Sequence, residues 1–573
     1  GTLLGFGRNN DGQVTTGTAN QTTPVMALLP AGTVVTGAAA GYQHTLALTS
    51  TGLVYAWGNN ADGALGNGTT TASTAPGLVN LPSGTVVTAV SAGDEDSLAL
   101  TSTGQVYAWG LNSVGQVGKP NSGGTVSTPV LVSLPAGTVA TAISAGYDHG
   151  LALTSTGKVY AWGDNASGQL GNGTTTTSST PVLVSLPSGV TATGVSAGYK
   201  YSLALTSAGS ILGWGLNTTG QLGNGTTTST TTPVGVLLPS GTTATGMAAG
   251  GLVSLALTSS GGVFAWGSDT HGEIGNGTTS TTLVTTPTVA SLPSGATATA
   301  VAAGYDHALA LTSGGQVLAW GYNAYGQLGN GTTTNASSPV SVILPAGTGA
   351  SAIAAGSYTY QSFVIVPPVS TTTTVGSSPN PSSTGQVVTL TATVSPTDGG
   401  GTMAFSADDS PISECNAVPL TQIGKNYQAT CTVSTLAEGN HAITASYSGD
   451  TYYIPSSGIL NGGQKVLYAT ALAAAPVSIV SSILGLKVTY SARLTRVSDG
   501  SPIADQTVSF APNTALLTSL GTCSATSNAQ GVATCSSASV LGVLPVLLAL
   551  GYTASFGGDA ADSATTTTAA VTL

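Results

Sequence analysis

The chain is 573 residues long with 41% apolar residues, which is too long for a single core and apolar enough for globular folding, so about two to four domains are expected. Only 5% of residues are charged, with 9 Lys+Arg against 20 Asp+Glu and a net charge of −11, where about 25% charged is ordinary. The first 366 residues hold only Arg8, Lys119, Lys158 and Lys200 as basic side chains, which excludes the clustered cations that nucleic-acid binding needs. A surface made mostly of Thr, Ser, Asn, Gln and Gly carries little mutual repulsion, and suits self-association or a glycan coat.

From the start of the chain one pattern recurs. A Trp-Gly pair falls at Trp57, Trp109, Trp162, Trp214, Trp266 and Trp320, with Phe6-Gly7 in the same role, at steps of 51, 52, 53, 52, 52 and 54 residues. A period held this closely marks a repeat architecture. Within a repeat, segments such as Ser202–Thr206 and Gln105–Trp109 alternate with a period of two, as strands do. Thr-Ser-x-Gly turns join them, and Gly-Gln-Leu-Gly-Asn-Gly runs, polar Thr/Ser stretches and Leu-Pro-x-Gly follow. About four short strands per repeat, with no helical pattern, is the size of a propeller blade. The chain begins halfway through a unit at Gly1–Gly7, and Ala355–Val366 supplies only a first half. The two halves are expected to join in one blade and close a seven-bladed ring without free sheet edges. The seven aromatic positions Phe6, Trp57, Trp109, Trp162, Trp214, Trp266 and Trp320 are expected in the blade cores.

The pattern Ala-Gly-x-x-His-x-Leu-Ala-Leu-Thr, then Trp-Gly-x-Asn-x-x-Gly-Gln-Leu-Gly, resembles the regulator of chromosome condensation (RCC1) repeat family over residues 1–366. That resemblance implies a seven-bladed β-propeller. It implies little about activity, because a fold does not carry one function; the family includes a chromatin-bound exchange factor, a plant UV-B photoreceptor and a secreted bacterial β-lactamase inhibitor. The chromatin role is set aside on charge. The photoreceptor role is set aside because all six Trp occupy the repeat position.

At Pro367-Pro368 the repeat stops. Residues 367–466 read as a sandwich of short strands, with Val387–Val394 a clear alternating run. The segment Gly439–Asp450, Gly-Asn-His-Ala-Ile-Thr-Ala-Ser-Tyr-Ser-Gly-Asp, resembles the late strands of bacterial Ig-like repeats. A more divergent copy is expected over 467–573, with Gln506–Phe510 as a middle strand and Gly551–Asp559 as its matching end. The fold class is therefore all-β: a seven-bladed propeller plus two Ig-like sandwiches. All four cysteines lie in the two sandwiches. Cys415 with Cys431, and Cys523 with Cys535, would close short loops, each stabilising by about 3 kcal/mol; a zinc site would instead need Cys-x-x-Cys spacing or nearby histidines. Paired disulfides point outside the reducing cytoplasm. No signal peptide is visible, and none is expected if Gly1 is a processed start. The most apolar run, Val540–Leu550, is broken by Gly542 and Pro545 and falls short of the roughly 20 residues of a spanning helix.

Few residues offer chemistry. His44, His149 and His307 share one repeat position, filled elsewhere by Asp96, Tyr201 and Val253, and a hydrogen bond to the neighbouring blade's backbone is the expectation. Asp269, His271 and Glu273 form a grouping that could hold a metal or sit in a solvated loop. Asp94-Glu95-Asp96 is the acidic run of the repeat region. It could hold Ca²⁺, contact a basic partner or form a solvated rim; Asp408-Asp409 and Asp450 pose the same choice. Asn67, Asn172, Asn224, Asn276 and Asn330 each begin an Asn-Gly-Thr sequon, as Asn165, Asn217 and Asn335 begin others, although Asn-Gly is equally a turn. No serine-nucleophile elbow or phosphate loop is present, and no cofactor is implied. The expectation is an extracellular, non-enzymatic structural or adhesive surface protein, self-assembling or meeting other surface proteins and glycans. The alternative is a secreted binding module whose propeller face docks a partner; near-identical blades offer it few distinctive side chains.

Overall fold

The computed structural model describes residues 1–120, 124–476, 478–482, 485–513, 522–536 and 551–570; the apolar run Val540–Leu550 lies outside them. Strands dominate, and the described helix is a single 3-10 turn at Ser413–Cys415. The chain divides into two units, Gly1–Pro368 and Val369–Leu573.

Unit one is seven four-stranded antiparallel sheets. The first blade runs from the inner strand Val35–Ala40 through His44–Thr49 and Val54–Gly58 to the outer strand Ser73–Leu78. The alternation read from the sequence becomes the core: Leu46 and Leu48 face one way from the second strand with Val54 and Ala56 buried beside them, while Ala47 and Trp57 are buried in the cluster shared with Leu3 and Phe363. In the seventh blade the two ends of the repeat region meet. Thr2–Gly7 pairs antiparallel with Gln361–Val366, Leu3 opposite Ile365 and Phe6 opposite Ser362, with Gln21–Met26 outside and Ala352–Ala355 inside.

Blade joins to blade through the aromatic of the repeat. Trp109 Nε1 donates to the Ala64 carbonyl of the preceding blade at 2.8 Å, and Trp162, Trp214, Trp266 and Trp320 reach Gln116, Gln169, Gln221 and Glu273 in the same way. Their rings pack on the second glycine of Gly-x-Leu-Gly. At Gly118 (φ +63°) a β-carbon would stand 2.9 Å from Trp162 Nε1, so both the left-handed backbone and the space demand glycine. The seven inner strands surround a cavity of about 230 Å³ lined by their small residues. Ser91, Ser144 and Ser196 Oγ accept there from the Ala145, Ala197 and Ala249 amides, each on the next blade.

Unit two holds two sandwich-like sets of sheets. In the first, Thr372–Ser378, Val388–Ser395, Asn426–Val433 and Thr421–Ile423 face a sheet built on Thr402–Ala407 and Ile443–Tyr447, around Leu390, Phe405 and Tyr447. In the second, a sheet on Gly485–Arg496 opposes one on Thr507–Pro512 and Gly551–Phe556, around Tyr490, Phe510 and Tyr552. Cys415–Cys431 and Cys523–Cys535 are bonded, with Cα–Cα distances of 5.8 and 6.2 Å. These disulfides fit a compartment outside the reducing cytoplasm. Among the described residues no helix is long and apolar enough to cross a membrane.

Candidate functional site: a tyrosine and carboxylate mouth

Antiparallel pairing fixes which loops share an end of the propeller. In the first blade His44 pairs with Gly58, so the Ala-Gly turn that leads into the second strand and the loop that leaves Trp-Gly emerge side by side. The same pairing holds for His149 with Gly163 and His307 with Gly321. The propeller's acidic residues, Asp11, Asp62, Asp94, Glu95, Asp96, Asp148, Asp164, Asp269, Glu273 and Asp306, all lie in these two loop classes or, for Asp96 and Asp269, at the strand ends that bound them. They gather on one face.

The residue after Ala-Gly is tyrosine in four blades, and those rings meet. Tyr358 lies with its ring centroid 5.0 Å from Tyr42, 4.6 Å from Tyr147, 5.2 Å from Tyr199 and 4.9 Å from Tyr305, so five tyrosines cluster where the inner strands end. Gly251 takes the same position in the fifth blade, where the Tyr305 ring occupies the place of a side chain. Tyr360, Tyr322 and Tyr325 extend the cluster outward, and the His271 ring stands 4.8 Å from Tyr322.

Carboxyls flank the rings. The following repeat position carries Gln43, Glu95, Asp148, Lys200, Leu252 and Asp306 in the first six blades, so the blades differ here although their strands are alike. The Glu95 carboxyl shares a hydrogen bond with Asp62, and Asp94 one with the Tyr147 hydroxyl. Burial, then the neighbouring carboxylates, push Asp94 and Glu95 up to about 7 and Asp148 to about 6; burial and Glu273 push Asp306 to about 7. Lys200 Nζ lies 3.8 Å from Asp164 and 5.6 Å from the Tyr199 ring centre, and the Arg8 guanidinium stacks 4.7 Å from the Tyr42 ring centre.

These contacts revise several expectations. Asp94-Glu95-Asp96 is not a solvated rim: Asp94 is 9% exposed and Asp96 1%, and burial raises the Asp96 carboxyl well above its ordinary range. At the shared histidine position the histidines bond a side chain of the next blade rather than its backbone, while Tyr201 Oη also donates to the Val253 carbonyl at 3.0 Å. His44, His149 and His307 Nε2 lie 2.8 to 2.9 Å from Ser97, Ser202 and Ser362 Oγ on the next blade, and Tyr201 Oη meets Ser254 Oγ at 2.7 Å. Val253 faces Ala308, where neither side bonds. Asp96 breaks the rule. Its counterpart is Gly150, and both Asp96 carboxyl oxygens lack a partner. Burial holds His44 and His149 near 4 and His307 near 3, so they are neutral and structural.

Asp269, His271 and Glu273 are repeat chemistry. Asp269 Oδ1 accepts from the Ile274 amide as Asn60 Oδ1 does from Leu65, while Glu273 accepts from the His271 amide at 2.7 Å and from its Nδ1 at 3.1 Å. Glu273 is fully buried and Asp269 nearly so, while the His271 side chain is 35% exposed, so only the histidine of the grouping sits on a solvated loop. Among the described residues no group of three His, Cys, Asp or Glu is arranged to hold a metal ion. In the sandwiches Asp450 Oδ1 accepts from its own loop at the Tyr452 and Tyr453 amides, and Asp408 holds His441 Nδ1 at 2.7 Å. The sequon residues Asn67, Asn172, Asn224, Asn276 and Asn330 each accept through Oδ1 from the amide and hydroxyl of the threonine two residues on.

The RCC1-like domain model matches residues 2–361. The chain belongs to the RCC1-like domain family. A bacterial Ig-like domain (group 3) follows at residues 373–459. The RCC1-like propeller is similar to the ultraviolet-B receptor UVR8 of Arabidopsis thaliana, 31% identical over 53% of this chain and 69% of that one. It is also similar to the human E3 ubiquitin-protein ligase HERC2, 36% identical over 33% of this chain but only 4% of that protein. Among solved structures, human WBSCR16 superposes with a TM-score of 0.57 at 26% identity, covering 63% of this chain and 98% of that one. Yeast RCC1 (Prp20), solved bound to Kap60, gives 0.56 at 24% identity over 63% and 88%, a likeness of fold alone.

The tyrosine cluster is what the sequence reading missed. Its signal was present: tyrosine after Ala-Gly in four repeats, at a loop position that the strands do not require.

Proposed function

We propose that the chain is an extracellular, non-enzymatic binding protein whose propeller docks a partner protein on its loop face, with the Ig-like modules as spacers. The supporting observation is the convergence of five tyrosine rings and the propeller's carboxyls on that face, since rigid amphipathic rings are enriched at docking surfaces and charge of one sign steers and selects a complementary partner. The relatives bear on this only as propellers, one of them solved with a protein bound. The modules are taken as 1–366, 367–466 and 467–573.

The test is capture of surface proteins by the immobilised full chain. Replacing Glu95 and Asp148 by lysine should abolish capture of a given partner, whereas Val34→Thr with Leu53→Thr at the opposite end should leave it unchanged. Equal capture by both variants would refute the docking role.

A second reading, a self-assembling adhesive subunit, draws on a different feature. The outer strands end in half-exposed Leu78, Leu131, Leu183 and Val289 on a surface almost without charge, where copies can pack with little electrostatic repulsion.

A further inference from the structure

Where the loop of the first blade meets the Ala-Gly turn of the second, Gln43, His44, Asn59, Asp62, Asp94 and Glu95 line a void of about 10 Å³, close to the room needed for one water-sized group. Three of these are carboxyls, and the cations nearby are committed elsewhere: Lys200 to Asp164, Arg8 to the face of Tyr42. Asp94, nine-tenths buried, lines this void with an Oδ1 that has no protein partner. An orphan acceptor in so acidic a setting costs free energy unless something donates to it.

We propose that this pocket between the first and second blades receives the primary ammonium group of a lysine side chain presented by the partner protein; the inference rests on the loop face being the docking surface. An ammonium is the size of one water and carries three donors. Asp94 Oδ1 and the Asp62–Glu95 pair supply acceptors, and the Tyr147 hydroxyl holds the other side of Asp94. A guanidinium is a plane of four heavy atoms and needs room for more than the one water-sized group that this void accommodates. The titratable groups at the pocket and beside its two buried carboxyls are all acidic or neutral: Asp62 and the neutral His44 imidazole line it, and Asp96, Asp148 and the Tyr147 phenol act on Asp94 and Glu95. With burial and mutual repulsion holding Asp94 and Glu95 near 7, the empty pocket keeps protons at neutral pH that an arriving ammonium displaces. Binding therefore strengthens as pH rises through 7 and releases protons.

The test is calorimetric titration of the full chain with the peptide acetyl-Gly-Lys-Gly-amide, against its arginine and Nε-acetyl-lysine counterparts. The lysine peptide should bind at least about tenfold tighter than either. Its affinity should fall about tenfold or more between about pH 8 and about pH 6, with heats that depend on the buffer's ionisation. Asp94→Asn should remove the preference for lysine and Glu95→Gln should flatten the pH dependence, each in a chain whose thermal transition is retained. Equal binding of the three peptides, pH-independent binding, or displacement by potassium but not by tetramethylammonium at matched ionic strength would each overturn the lysine assignment. Loss of the peptide with partner capture still sensitive to Glu95→Lys and Asp148→Lys would sink this inference alone; capture insensitive to those changes would sink the docking reading beneath it.

Discussion

The two ends of the propeller are made by the same strands and differ in almost everything else. At the loop end sit the propeller's carboxyls, a five-tyrosine cluster and, beside it, a position that changes between Gln, Glu, Asp, Lys and Leu from blade to blade. At the turn end, Thr-Ser-x-Gly and Leu-Pro-x-Gly turns repeat with little change, no carboxyl is present, and Val34, Leu53, Val86 and Val139 stand roughly half exposed. The turns are closed by their own threonines: Thr49 Oγ1 accepts from the Leu53 amide, and Thr101, Thr154, Thr206, Thr258 and Thr312 repeat the bond at their own turns. A turn fixed this tightly leaves little backbone freedom. The loops at the other end are held by the buried asparagine, the next blade's tryptophan and backbone bonds such as Gly68 to Ser127 and Tyr147 to Gly198, so it is their side chains that can vary at little cost to the fold.

The largest effect should come from breaking that base. Trp162→Ala removes a fully buried ring and leaves the Gln116 carbonyl without its donor, and should lower propeller stability by about 3–5 kcal/mol in calorimetry. Trp162→Phe keeps most of the packing and loses the hydrogen bond, at about 1 kcal/mol. In the seventh blade Phe6 packs on Gly329 with no donor of its own, and Ser362 Oγ keeps the Gln327 carbonyl hydrogen-bonded, a bond that Gly150 cannot supply to Gln116. A result in which the phenylalanine variant is as damaged as the alanine would mean that the bond, not the packing, holds the loop end.

Asp96 offers a change of opposite sign. Its carboxyl is buried with neither oxygen paired, so Asp96→Leu should raise stability by about 1–3 kcal/mol. Asp96→His with Gly150→Ser should do so through the pair used in other blades, if the Trp162 ring against Gly150 can shift. Unchanged melting in both variants would place an unrecognised donor at Asp96.

A smaller effect follows from proton linkage at the mouth. Asp94 and Glu95 are raised from below 5 to about 7 in the folded chain, so between those limits the folded state binds more protons than the unfolded one. Their contribution to stability then falls as pH rises through that window. Asp94→Asn with Glu95→Gln removes the linkage, and the melting advantage of this variant over wild type should be larger at about pH 8 than at about pH 5. An advantage independent of pH would show that these carboxyls are not held protonated.

Most of the architecture was legible because it is periodic. The Trp-Gly spacing, the half-units at the two ends and the alternation in Ser202–Thr206 each report a constraint that acts on every blade, and repetition separates it from chance. The mouth was legible only in part, because its residues are those that repetition does not constrain. Asp94-Glu95-Asp96 stood out as an acidic run, but its burial could not be read without knowing that Tyr147 and Asp148 of the next blade lean over it. The pairing of His44 with Ser97 was similarly hidden, since its partner lies 53 residues away. It becomes visible once Val253 is seen opposite Ala308 and Asp96 opposite Gly150. The tyrosines were passed over because each alone is an ordinary half-exposed ring, and only closure of the ring brings them together.

The smallest effect is expected at the turn end, and it bears on the self-assembly reading. Leu53→Thr with Val86→Thr replaces two half-exposed aliphatic side chains that make no hydrogen bond, in turns whose backbone is held by Thr49 and Thr101. In a monomer such surface changes should shift stability by no more than about 0.5 kcal/mol each. If this end packs against another copy, the same pair would remove apolar area from that contact, and light scattering would show association weakened several-fold while the melting of the dilute monomer stays put. Association that persists in this variant and is lost instead with Glu95→Lys and Asp148→Lys would move the contact to the loop end, where charge rather than aliphatic area would have to hold the copies together.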